Sequence, residues 1–234
     1  MASGGHTASN TLGRPRLHLR VTTSTNDRAR ALAHDGAPHG TLVTAGEQRA
    51  GRGRQGRTWS APAGRALLLS LVLRDPPALL PLAAALAVAQ VAGADARIKW
   101  PNDVLVDGRK VAGILAEGRP HEGWAVLGIG INVALRIDEL PAELHASAGT
   151  LGLTPADLEP TLERLLAALE GALTLHPAAL LEAYGARDAL RGREVAWAGG
   201  RGRAAGVDGA GRLVVELPEG GRTALSAGEV HLTR

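Results

Sequence analysis

Gln48-Arg49-Ala50-Gly51-Arg52-Gly53-Arg54-Gln55-Gly56-Arg57-Thr58-Trp59 sets four Arg and three Gly in the nine residues from 49 to 57. Gly loses the most backbone entropy on ordering and offers no side chain to pack, so the stretch reads as a loop and not as a helix or core strand. Gly lets backbone approach a ligand closely, while Arg brings fixed charge and a planar fork of donors suited to phosphate or carboxylate. The fold must therefore hold a basic loop over an anion.

Three other readings of the stretch meet their context. Gly51, Gly53 and Gly56 match a dinucleotide fingerprint, but that motif opens a helix, and here Thr-Trp-Ser-Ala-Pro follows. A P-loop needs Gly-Lys before Ser or Thr, which the chain lacks. An Arg-Gly segment for single-stranded nucleic acid calls for aromatic stacking platforms, of which Trp59 alone is near.

The 234 residues suit one medium domain, or one domain with a small companion, and can bury a real core. Phe is absent and Tyr occurs once, so that core is aliphatic. Without Cys there is no disulfide, thiolate nucleophile or Cys-bound metal. Neither a secretory signal pattern nor an apolar run long enough to span a bilayer is present, and the protein is expected to be soluble and cytoplasmic. The net charge of +3 is small for a nucleic-acid coat, and the basic density is local to residues 49–57. Only two of the 26 basic residues are Lys, at 99 and 110, and Asn occurs only at 10, 26, 102 and 132. In a chain with so strong a preference for Arg, which fits a GC-rich source, Lys99, Asn102 and Lys110 become candidates for a chemical need.

Outward from the loop, Arg16 to Val21 and Thr41 to Ala45 read as strands. Thr22 to Asp27 supplies N-caps for a short helix that ends near Gly36. Ala66 to Leu73 is a continuous apolar run, expected as a central strand buried on both faces. Ala78 to Ala92 reads as a helix with Pro81 in its first turn. Asp107-Gly108 between two apolar stretches is a hairpin signal that sets Lys110 beside Asp103 and Val104. Pro101 and Asn102 break the chain before it. Trp124 to Val133 is a further strand, with Gly128 and Gly130 marking close approach by other groups. Thr154-Pro-Ala-Asp157 looks like a capping box for a helix with a Leu162, Leu165, Leu166, Leu169, Leu173 stripe, followed by a second helix from Ala178 to Tyr184. From about residue 187 the pattern changes to short strands, at 194–197, 203–207, 213–217 and 223–226.

Five motifs in order resemble the biotin protein ligase family: Ser24-Thr25-Asn26; Gln48 with Gly51 to Trp59; Lys99-Trp-Pro-Asn-Asp103; Gly108-Arg-Lys-Val-Ala-Gly-Ile-Leu115 with Glu117; and Gly128-Ile-Gly-Ile-Asn132. The resemblance covers residues 15–135 well and the remainder loosely. It implies an α+β fold: a mixed β-sheet catalytic domain flanked by helices, of the class II synthetase and lipoate-ligase kind, with a small C-terminal SH3-like β-barrel. The corresponding division is a disordered tail at 1–13, a catalytic domain at 14–186 and the small domain at 187–234.

The resemblance also implies a two-step ligase. Biotin and ATP, with Mg²⁺, would form biotinyl-adenylate, and the acyl group would pass to a lysine of a biotin carboxyl carrier protein. Catalytic roles would fall to Lys110, Arg54 and Asp103. Biotin would be held by Ser24, Thr25, Asn26, Gln48, Gly51, Arg52, Gly53, Arg54, Lys110 and Gly113. ATP would meet Arg52, Arg54, Arg57, Trp59, Lys99, Asn102, Lys110 and Asn132; no metal ligands are assigned. The Arg-Gly loop would order over the ligand. Too few residues precede the first strand for a helix-turn-helix domain, so no DNA partner is expected, while exposed strand edges could pair two subunits. A lipoate or octanoate ligase of the same fold, and more remotely a nucleic-acid-binding protein, stand as alternatives.

Overall fold

The strand expected from Ala66 to Leu73 runs as β5 (Ala66–Arg74) through the middle of a seven-stranded sheet, and all but its last residue are buried. The computed structural model describes residues 12–119 and 122–233. The tail expected at 1–13 lies outside them except for Leu12 and Gly13; Leu12 is buried and the Gly13 amide donates to the Gly40 carbonyl. The other strands are β1 (Arg16–Leu19), β2 (Leu42–Ala45), β6 (Arg97–Lys99), β7 (Asp103–Val106), β8 (Arg109–Arg119) and β9 (Trp124–Asn132), in the order β1-β2-β5-β9-β8-β7-β6. Only β1 and β2 run parallel, which makes the sheet mixed.

Period-two alternation divides the faces. Leu67, Leu69, Leu71 and Leu73 of β5, with Leu127, Ile129 and Ile131 of β9, pack against α2 (Leu80–Ala92), α3 (Leu158–Leu173) and α4 (Pro177–Gly185). Val72 and Val126 on the opposite face meet Ala29 and Ala33 of α1 (Thr25–His34). Asp157 accepts from the backbone N–H of Thr154 at 2.9 Å, the reciprocal half of the expected capping box, ahead of α3.

The β7–β8 hairpin turns at Asp107 and Gly108, both at positive φ (50° and 73°), as an Asp-Gly type I′ turn requires. The two-residue turn sets Lys110 opposite Leu105 rather than Val104, and a bulge beyond it, between Val104 and Leu105, brings Val104 opposite Ala112 and Asp103 opposite Gly113.

The loop expected at 48–59 is more ordered than glycine content suggests. Gly51–Arg52 (β3) and Thr58–Trp59 (β4) pair antiparallel and form a flap whose tip turns at Gln55 and Gly56, both at positive φ. Gly is needed at 51 because a Cβ would lie 2.4 Å from the Trp59 carbonyl oxygen.

The short strands beyond residue 187 form one five-stranded antiparallel sheet, β13-β12-β11-β10-β14, from β10 (Glu194–Trp197), β11 (Gly200–Val207), β12 (Leu213–Glu216), β13 (Arg222–Leu225) and β14 (His231–Leu232). The pair β14 escaped the sequence reading because two residues carry no alternation. Trp100, just after β6, is buried in the small core of this sheet and its Nε1–H donates to the Gly211 carbonyl at 3.1 Å. Among the described residues, no helix is long and apolar enough to cross a membrane.

Candidate functional site

On the α1 face of the sheet, two neighbouring strands carry three glycines where side chains would stand. Gly113 of β8 is paired with Gly130 of β9, and Gly128 lies opposite Ser70 and Leu115. The bare patch at Gly113 and Gly130 receives the Trp59 indole: a Cβ at Gly130 would sit 2.5 Å from the ring and one at Gly113 2.9 Å. At Gly128 a Cβ would lie 2.0 Å from Asn26 Oδ1. These glycines remove side chains so that the flap and the start of α1 can close on the sheet.

A cavity of about 970 Å³ lies between this patch and the flap. It is lined by Ser24, Thr25, Asn26, Gln48, Arg52, Gly53, Arg54, Arg57, Trp59, Lys99, Asn102, Asp103, Lys110, Gly113 and Asn132. Of the residues given a catalytic or binding role from sequence, only Gly51 does not line it; Gly51 acts as a packing point, 2.9 Å at its Cβ position from Gln48 Nε2.

The floor is neutral and buried. Ser24 is the N-cap residue of α1 by backbone geometry, yet its side chain makes no capping bond, and the residue borders the cavity. Gln48 Oε1 accepts from the Thr25 N–H at 2.7 Å and from the Thr25 hydroxyl at 3.0 Å. Ser70 lies behind them, 2.8 Å from Thr25 Oγ1 and 2.5 Å from Asn26 Oδ1. Helix amides and oriented hydroxyls make such a helix start a natural polar anchor.

The opposite end is cationic. Lys110 Nζ stands 2.6 Å from Asp103 Oδ1 and 5.6 Å from the centroid of the Trp59 ring. Arg54 points its guanidinium at Asn102 Oδ1 (3.5 Å). Burial pushes the Arg54 pKa below the ordinary guanidinium value, with Arg57 adding to the shift and Asp103 opposing it. Asn102 Nδ2 donates to the Ile114 carbonyl at 3.1 Å, and Asn132 Nδ2 to the Gly149 carbonyl at 2.8 Å. Both amides thereby turn their oxygens elsewhere, as acceptors.

Several cavity residues escaped sequence reasoning. Leu140, Leu144 and Ala146 to Ala148 wall the Asn132 end, held by backbone bonds between Lys110 and the 147–149 segment. Ala and Leu in an irregular loop carry no signal of this. Glu229 and His231 reach the cavity from the C-terminal sheet, and Glu229 pairs with Arg57 at 2.8 Å. Ser70 was hidden within an apolar strand, where one hydroxyl looks like a tolerated exception.

The chain's likeness to other proteins agrees with this geometry. Residues 18–133 match the Biotin/lipoate A/B protein ligase family. A biotin–(acetyl-CoA-carboxylase) ligase of Mycobacterium tuberculosis is 38% identical over 232 residues, covering 89% of this chain and 85% of that protein. The bifunctional ligase/repressor BirA of Bacillus spizizenii is 41% identical over 152 residues, 60% of this chain and 47% of that protein; the match thus spans about half the length of that relative. A biotin protein ligase from Aquifex aeolicus, solved in complex with biotin and ATP, superposes with a TM-score of 0.80 at 28% identity, covering 94% of this chain and 99% of that one.

Proposed function

Since the chain belongs to the biotin/lipoate A/B protein ligase family, we propose that it is an ATP-dependent biotin protein ligase. The observation that carries this reading is one cavity with a neutral, hydrogen-bonding end and a cationic end, joined by Lys110. A neutral bicyclic acid fits the first, and the carboxylate with the α-phosphate of ATP fits the second.

In the first step the biotin carboxylate attacks the α-phosphorus of ATP, forming the mixed anhydride and releasing pyrophosphate. Two anions must meet, and preorganised positive charge offsets their repulsion most where water is excluded. Lys110 is a compact point charge between them, and Arg54 and Arg52 lie beside it on the flap. Asn132 and Asn102 would read adenine, Asn132 with its free oxygen toward an exocyclic amine. Trp59, Arg57 and Lys99 complete the nucleotide side. In the second step the amine of a carrier-protein lysine attacks the acyl carbonyl and AMP leaves. Asp103, held by Lys110, would orient that amine or take its proton.

Mg²⁺ would travel on the phosphates, which with water supply most of its ligands. The donor set fits such a passenger: among the described residues no group of three His, Asp or Glu could hold a metal, while the Asp103 and Glu229 carboxylates face the cavity. The ion would neutralise phosphate charge. Two copies could pair along β1, an edge of the sheet; at the other edge Ile98 of β6 already bonds the backbone of residues 187 and 189.

The test is transfer itself. Incubated with ATP, Mg²⁺ and a biotin carrier domain, the protein should add one biotin to one lysine, read as a mass gain. Transfer of lipoate or octanoate in its place would keep the fold and replace the substrate.

A further inference from the structure

Glu117 lies on β8, two residues beyond Leu115 on the face that carries Gly113, and below the flap. Its carboxylate gathers three donors from two directions. Asn26 Nδ2 donates to Oε2 at 2.8 Å and Arg30 to the same oxygen at 3.1 Å, while Arg52 NH1 stands 3.5 Å from Oε1. Arg52 is held a second time by Asp27, whose Oδ1 lies 2.9 Å from its Nε.

An ionised carboxylate only accepts hydrogen bonds, so it dictates the orientation of the Asn26 amide. Nδ2 must face Glu117, and Oδ1 must then face Ser70. An amide oxygen also only accepts, so the single Ser70 proton is directed at Asn26, 2.5 Å away. The Thr25 hydroxyl donates to Gln48 Oε1, which also takes the Thr25 N–H. With its oxygen occupied, Gln48 can offer only its amide N–H groups to a ligand. Ser70, its one proton spent on Asn26, faces Thr25 Oγ1 at 2.8 Å only as an acceptor, so two acceptors, Ser70 and Gln48, draw the Thr25 proton away from the ligand; that order begins at a carboxylate that does not itself line the cavity.

We propose that Glu117 is a positioning residue for the acid substrate: by fixing the Asn26 amide and the Ser70 proton it keeps Ser70 an acceptor toward Thr25, so that the Thr25 hydroxyl presents its oxygen as an acceptor to a ligand N–H. The proposal rests on the biotin-ligase reading and adds to it the polarity of the ureido-binding end. Replacing Glu117 by Gln keeps size but lets position 117 donate as well as accept, so the Asn26 amide is free to reverse.

The test is calorimetric titration of biotin into the whole protein without ATP, with KM for biotin and for ATP measured beside it. Glu117→Gln should weaken biotin about tenfold, the loss of roughly one well-made hydrogen bond in a buried site. KM for ATP should stay within about twofold, a split that a general loss of structure would not give. Ser70→Ala, which removes the middle of the chain from outside the cavity lining, should show the same selective loss. The double variant should be little worse than the weaker single variant, because both break one chain. Independent losses that multiply would overturn the relay, and wild-type affinity in Glu117→Gln would overturn the positioning role while leaving the ligase reading intact. A wild-type protein that ignores biotin would overturn both. If Glu117→Gln does not fold, Ser70→Ala decides alone: unchanged biotin affinity there refutes the proposal.

Discussion

At the base of the cavity Thr25, Asn26 and Ser70 are each under 5% exposed and joined by neutral hydrogen bonds; above it, Arg52 and Arg57 keep 44% and 51% of their side chains in water and are held by ion pairs to Asp27, Glu117 and Glu229. Buried neutral networks are stiff and indifferent to salt, whereas half-exposed ion pairs are worth little and are screened. One site therefore combines a preformed floor with a cover that can leave. In the proposed reaction, ligand selection would belong to the floor, and charge neutralisation and exclusion of water to the cover.

The largest break in that comparison should come where the two meet. Lys110→Ala should retain biotin binding but lose roughly a hundred- to a thousandfold in pyrophosphate release, the effect of removing one preorganised charge from a transition state. Normal release would take Lys110 out of the chemistry. On the floor, Gly128→Ala puts a methyl group 2.0 Å from Asn26 Oδ1, and should cost about 1–3 kcal/mol in thermal unfolding together with biotin affinity. An unchanged melting curve would mean that the α1 start is not seated on the sheet.

The cover should fail differently. Arg54→Gly should form the adenylate but hold it poorly, so that bystander proteins become biotinylated in a pull-down blot; labelling confined to the carrier domain would contradict the role of the flap. Arg57→Ala removes the exposed pair with Glu229 and a 3.5 Å contact to the Arg54 carbonyl, and should change adenylate lifetime by less than about fivefold, a difference that fades in 0.5 M salt.

The smallest effect lies outside the site. Asp188 has a buried, unpartnered Oδ2 near the unpartnered Tyr184 hydroxyl, and burial raises its pKa. A raised carboxylate pKa gives stability that is full below the unfolded value of about 3.9 and is lost as pH rises through the folded value. Asp188→Asn, which keeps the acceptor for the Leu190 N–H, should raise stability at neutral pH by about 1 kcal/mol and flatten its pH dependence. Equal slopes in the two proteins would show that Asp188 does not titrate with folding.

Much of the architecture was legible because it rests on local rules. Ala66 to Leu73 announced a strand covered on both faces, and Asp107-Gly108 a two-residue turn. The rarity of Lys drew attention to Lys99 and Lys110, which do border one cavity. What stayed hidden depends on contacts distant in sequence. Glu117 could be quoted in a motif, but its three partners come from α1 and the flap, 65 to 91 residues away. Glu229 meets Arg57 across 172 residues, and nothing in either local sequence says so. The flap was read as a loop because glycine content was weighed without the cross-strand pairing that Gly51 makes possible.

The measurement that tests the account most directly is pyrophosphate release from ATP and Mg²⁺ without carrier protein, with biotin, lipoate and octanoate compared. The account predicts release with biotin alone, stopping at about one equivalent per site because the closed flap retains the intermediate. Release driven by lipoate or octanoate, or none with any of the three acids, would contradict it.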